Sequence, residues 1–213
     1  MYRIKKIEKN GGIYIVRVSG EGDDAGFEEK CLVAKEFFLP LGLTEGELTD
    51  EDGARSLLSA ADLTAAVSKA LDVLSYSNVS RRALVEKLRF KHKIGKETAE
   101  LAADYAVGRG YLDEESQAKK IAESAVRSKM WGRRRVASDL YSKGYSKETA
   151  QNASSQIPDE DYREALDRLI SKKVKAVPKD SAEYNRIISS LIRLGHSPSD
   201  IREALEESFG EEE

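Results

Sequence analysis

Lys96-Glu97-Thr98-Ala99 returns unchanged as Lys147-Glu148-Thr149-Ala150, 51 positions later in the chain. At the same offset, Ser197-Pro198-Ser199-Asp200-Ile201 aligns with Ser146-Lys147-Glu148-Thr149-Ala150. The offset also pairs Val136 with Ile187, Leu140 with Leu191 and Gly144 with Gly195. A register held over three copies predicts a tandem array of one helical unit from about residue 62 to 209. Each unit of such an array contacts mainly its neighbours, so the stack grows long and offers an extended surface to a macromolecule. A binding protein is therefore expected before an enzyme.

Apolar residues at i, i+3 and i+4 divide each repeat into three helical segments. Leu63, Val67, Ala70, Leu71 and Leu74 stripe the first helix, Leu84, Val85 and Leu88 the second, and Leu101, Ala102, Tyr105 and Ala106 the third. Ala118, Ile121, Ala122, Ala125 and Val126 open the next repeat, followed by Val136, Ala137, Leu140 and Tyr141, then Ala150 and Ala153. The last repeat reads Tyr162, Ala165, Leu166, Leu169 and Ile170, then Tyr184, Ile187, Ile188, Leu191 and Ile192, then Ile201, Ala204, Leu205 and Phe209. The expected boundaries are 61–112, 113–158 and 159–213 for the three repeats. Gly144 and Gly195 fall where a left-handed C-terminal cap needs no Cβ, and Ser80, Ser146 and Ser197 stand at helix starts as N-caps. Helix, tight glycine turn, helix is also the outline of a helix-turn-helix.

Residues 1–60 read differently. Ile13-Tyr14-Ile15-Val16-Arg17-Val18 follows the turn signal Asn10-Gly11-Gly12 and predicts a hairpin with Tyr2 to Ile7. A helix is predicted over Glu28 to Phe38, ended by Pro40 and Gly42, then a turn and a short helix near Asp50. A module of this size is marginal alone and should lean on the array. The fold class is thus mainly α, an elongated array of helix-turn-helix-like repeats behind a small β-containing module.

The single cysteine, Cys31, excludes a disulfide framework and a Cys-based zinc site. No apolar stretch approaches the roughly 20 residues that cross a bilayer, and Met1-Tyr2-Arg3-Ile4-Lys5-Lys6 lacks a signal-peptide run. A cytoplasmic protein with no membrane association is expected. His92 and His196 sit in different repeats without metal or nucleophile spacing, and no phosphate-cradling glycine loop is present. No catalytic, metal or cofactor site is expected.

The net charge of −3 hides an asymmetry. Residues 81–150 carry 17 Lys and Arg against 10 Asp and Glu, while the remainder carries 18 against 28. A basic middle between acidic ends points to an anionic partner. Within it, Arg127, Lys129, Arg133, Arg134 and Arg135 gather around Trp131 in nine positions, with Lys143 further along. Cation plus aromatic suits phosphate and base contact, and equally an Arg-rich protein interface. Three adjacent arginines cannot share one helical face, so at least one should meet solvent. Trp131, at a helix start, can also serve the core. In Gly110-Tyr111-Leu112-Asp113-Glu114-Glu115, glycines stop one helix, Asp113 caps the next and Tyr111 and Leu112 staple the corner.

The order of these features resembles the RecX family of recombination regulators. The resemblance rests on Gly110-Tyr111-Leu112-Asp113, on Gly132 before Arg133-Arg134-Arg135-Val136-Ala137-Ser138-Asp139-Leu140, and on Lys143-Gly144-Tyr145. Glu114, Gln117 and Val136 depart from the usual aspartate, aromatic and isoleucine. The resemblance implies a monomer that binds the RecA filament on single-stranded DNA and restrains its ATPase, strand-exchange and co-protease activities, with weak direct DNA contact allowed for. The expected partner-binding residues are Tyr111, Arg127, Lys129, Trp131, Arg133, Arg134, Arg135 and Lys143. A helix-turn-helix DNA-binding regulator using the middle repeat is the alternative, and a scaffold for an unrelated protein is a third.

Overall fold

The computed structural model describes residues 1–174, 178 and 180–209. Four strands come first: β1 (Tyr2–Asn10), β2 (Ile13–Gly20), β3 (Glu28–Ala34) and β4 (Leu48–Thr49). They form one antiparallel sheet in the order β3-β2-β1-β4. A short helix α1 (Lys35–Phe38) follows β3, and a long α2 (Glu51–Tyr76) follows β4. Then come α3 (Arg81–Phe90), α4 (Lys96–Gly108), α5 (Glu114–Lys129), α6 (Arg133–Ser142), α7 (Lys147–Ser155), α8 (Asp159–Lys173), α9 (Ser181–Arg193) and α10 (Pro198–Phe209). The chain is mainly helical, with three-helix repeats behind a small β module.

Two expectations for the N-terminal module are corrected. Glu28 to Ala34 is strand rather than helix, paired with β2 from Ile13–Ala34 to Ser19–Glu28. Cys31 and Val33 are buried with Val16 and Val18, so the period that matters is two, and a four-residue helix is all that remains of the predicted one. The helix after Asp50 is not short: it runs 26 residues, capped by Asp50 accepting from Gly53 N at 2.8 Å. It therefore passes straight through the boundary expected after residue 60.

The chain forms two compact units. The first comprises residues 1–77 and 84–112. Its sheet packs on α2 through Ile4, Val16, Val33, Phe38 and Leu57, and α2 in turn packs on α4. Tyr105 of α4 donates to Glu36 Oε1 at 2.6 Å and meets the Phe37 ring edge-on, so the β module leans on the first repeat. Cys31 lies in this core, and burial pushes its thiol up to about 11, leaving it an inert packing residue.

The second unit comprises residues 78–83 and 113–213. The predicted caps form: Ser80 accepts from Ala83 N, Asp113 from Ser116 N, Ser146 from Thr149 N and Ser197 from Asp200 N. Ser146→Ala should lower stability by about 1 kcal/mol, read from the midpoint of urea unfolding. Gly144 and Gly195 adopt φ of +91° and +92°, as a left-handed cap requires.

These glycine turns also join successive repeats. Gly132 N donates to Leu194 O at 2.8 Å and Arg134 N to Gly195 O at 3.3 Å, so the carbonyls of one repeat's turn satisfy the free N–H groups that open α6. One repeat earlier, Ser80 Oγ donates to Lys143 O at 2.9 Å in the corresponding place. Buried residues after each glycine complete the joints. Tyr145, 2% exposed, points its hydroxyl at Gln117 Oε1 across 3.4 Å, and His196, 3% exposed, meets Met130 O at 3.0 Å. Met130 itself ends α5 in the left-handed region at φ +53°, uncommon for a side-chain-bearing residue.

Candidate functional site

The basic strip begins at the end of α5 and continues into α6. Met130 turns the chain out of α5, and Gly132 starts α6 in extended conformation. That corner brings Lys129 Nζ to 4.2 Å from the Trp131 ring centroid and the Arg135 guanidinium to 5.2 Å. Trp131 is half-buried, packed against the core of Ala122, Val126, Val136 and Leu140. One part of the indole fills the core while two cations gather on the rest. Arg134 and Arg127 are exposed, and no side-chain partner engages either among the described residues.

Arg133 behaves differently. Its Nη1 donates to Ser154 O at 2.9 Å, its Nη2 pairs with Asp159, and its guanidinium lies 4.6 Å from the Tyr162 ring centroid. Tyr162 donates its own hydroxyl to the same Ser154 carbonyl at 2.9 Å, and burial pushes its phenol up to about 12. Arg133 thus ties the end of α7 to the start of α8. Tyr162→Phe keeps the ring and removes one of two donors to Ser154 O, so a loss of about 1 kcal/mol is expected in chemical unfolding.

Lys143 closes the C-terminal end of α6, where it pairs with Asp139 one turn back. It stands about 15 Å along the helix from Arg133, by the 1.5 Å rise per residue. Tyr111 belongs to the first unit, where it is 55% exposed instead of stapling the corner; Leu112 alone is buried there. Within the second unit, Lys129 and Arg135 gather on Trp131 as a cationic and aromatic patch, exposed Arg134 adjoins Arg135 in α6, and Arg127 lies on α5 one turn before the tryptophan.

Sequence reasoning missed three participants. Asp159 and Tyr162 hold Arg133 from 26 and 29 residues away, a distance at which local spacing carries no signal. Glu114, in the first turn of α5, accepts from Arg81 N at 3.0 Å through its Oε1 and so helps cap α3. Among the described residues no group of three or more His, Cys, Asp or Glu could hold a metal. No described helix is long and apolar enough to cross a membrane.

His196 sets a pH dependence for this region. Burial lowers its pKa, outweighing the hydrogen bond to Met130 O and the charge of Asp200, which both raise it. The unfolded imidazole therefore takes up a proton at higher pH than the folded one. Stability from this site is full above the ordinary histidine pKa of about 6.5 and is lost as pH falls towards the lowered folded value. The parent's melting temperature should drop more between pH 7 and 5 than that of His196→Gln. Equal drops would place the pH sensitivity elsewhere.

Fold and surface together define a helical-repeat protein with a cation-and-aromatic face. No protein-family model matches the chain. Regulatory protein RecX of Clostridioides difficile is 25% identical over 182 residues, spanning 84% of this chain and 85% of the relative. Regulatory protein RecX of Oceanobacillus iheyensis is 26% identical over 194 residues, 90% of this chain and 69% of the relative. A crystal structure of regulatory protein RecX superposes with a TM-score of 0.76 at 21% identity, covering 95% of this chain and all of that one. RecX from Lactobacillus salivarius superposes with a TM-score of 0.62 at 22% identity over 68% of this chain and 96% of its own. In sequence the chain is thus similar to regulatory proteins named RecX, and it shares their fold.

Proposed function

We propose that the chain binds the RecA filament on single-stranded DNA and restrains its ATPase, strand-exchange and co-protease activities, working in the cytoplasm as a monomer without a cofactor. The observation that carries this reading is the patch of Lys129 and Arg135 on Trp131, with exposed Arg134 adjoining it in α6, in a chain whose relatives are named regulatory proteins. A filament groove presents acidic protein surface and DNA phosphates together, and exposed cations beside a fixed aromatic suit both. The test is to add the purified protein to RecA assembled on single-stranded DNA and follow ATP hydrolysis. A dose-dependent fall in rate is expected, and an unchanged rate at several-fold molar excess over RecA refutes the reading.

The α6–Gly144–α7 outline favours a second reading, a helix-turn-helix regulator of duplex DNA. Against it, α7 carries one cation, Lys147, beside Glu148, and the sequence pI is about 5.7. A salt titration decides: phosphate-driven duplex binding weakens steeply with salt.

A further inference from the structure

The 51-residue offset maps a filled groove in the second repeat onto an open one in the third. In the second repeat, the start of α6 and the end of α7 form a groove that α8 fills. Tyr162 is its anchor, 8% exposed, bonded to Ser154 O and lying under Arg133. The corresponding positions in the third repeat are Tyr184 for Arg133, Leu205 for Ser154 and Phe209 for Pro158. These three line a cavity of about 540 Å³ between the start of α9 and the end of α10. Among the described residues α10 is the last element, and none stands where α8 stands one repeat earlier. The core beneath reflects this: Val136 is 1% exposed, whereas its counterpart Ile187 is only half-buried.

We propose that this groove docks an amphipathic helix of a partner protein, one with an aromatic anchor flanked by lysine or arginine. The helix and its anchor follow from what fills the same groove one repeat earlier. The sign of the flanking charge follows from the rim. In the second repeat Arg133 receives Asp159 at the start of α8. In the third, tyrosine replaces that arginine, and among the described residues the charged ones lining the cavity are Asp180 and Glu206. An acidic helix start such as Asp159-Glu160-Asp161 is repelled there, which disfavours α8 of a second copy as occupant.

The experiment uses the intact chain and two fluorescein-labelled peptides of residues 158–173. One has the natural sequence; the other has Asp159, Glu160 and Asp161 each replaced by lysine. By fluorescence anisotropy, the lysine peptide should bind with a Kd on the order of tens of micromolar and the natural one roughly tenfold more weakly. Phe209→Asp should abolish binding of the lysine peptide. Glu206→Lys, a change at an exposed position that keeps the fold, should weaken it about fivefold or more. Circular dichroism on each variant separates lost binding from lost folding. Absence of binding by the lysine peptide, equal binding of both peptides, or indifference to Glu206→Lys overturns the proposal. So does concentration-dependent dimerisation abolished by Phe209→Asp, which would assign the groove to a second copy.

Discussion

Gly195→Ala should destabilise the second unit by roughly 3 kcal/mol. Two costs combine. At φ +92° an alanine leaves its allowed region, at about 1–2 kcal/mol. Its Cβ would also lie 2.3 Å from Arg135 N and 2.5 Å from Arg135 Cβ, so the α9–α10 turn must back away from α6. That movement breaks the bonds from Gly132 N to Leu194 O and from Arg134 N to Gly195 O. Gly132→Ala isolates the second cost. Its φ of −77° suits any residue, but its Cβ would stand 2.3 Å from Gly195 C and His196 N. It should therefore cost less than Gly195→Ala, about 1–3 kcal/mol. Gly108→Ala is the control: at the last residue of α4, with nothing within 4 Å of the added carbon, it should be neutral or stabilise by up to about 0.5 kcal/mol. Urea unfolding followed by circular dichroism and by the fluorescence of Trp131, the single tryptophan, reads all three. A Gly195→Ala midpoint equal to the parent's would mean the joint is soft and the close approach unimportant.

Both glycine turns were legible as caps because capping is local: a glycine past an apolar stripe and a serine two residues on suffice to predict it. Their second role, letting a neighbouring backbone approach, was not. Gly132 and Gly195 meet across 63 positions, and no local pattern distinguishes a glycine needed for φ from one needed for space. The repeats were readable for the same reason the caps were, since three copies in register average out local ambiguity. The β module had no second copy. In Glu28 to Ala34, helix-compatible glutamates and lysine hid an alternation whose only buried members are Cys31 and Val33. Pairing with β2 decided the matter. The basic patch was legible as composition, but its division into Arg133, which holds the fold, and Arg134, whose side chain has no partner among the described residues, came from contacts with Ser154, Asp159 and Tyr162.

That division yields opposite outcomes for adjacent residues. Arg133→Ala removes the donor to Ser154 O, the ion pair with Asp159 and the cation over Tyr162, and should lower stability by about 1–3 kcal/mol. Much of that should persist in high salt, because the hydrogen bond and the ring contact are short-range. Replacing Lys129, Arg134 and Arg135 together should cost less per residue. Arg134 is exposed without a side-chain partner among the described residues, and each cation beside Trp131 contributes about 0.5–1 kcal/mol at an exposed site. Yet if the patch meets the filament, the triple alanine variant should need roughly tenfold more protein to slow RecA-dependent ATP hydrolysis, with the gap to the parent narrowing as salt rises. Arg133→Ala, measured well below its melting temperature, should inhibit nearly as well as the parent. A triple variant that inhibits normally makes the strip a solvated face, and one that unfolds makes these cations structural like their neighbour.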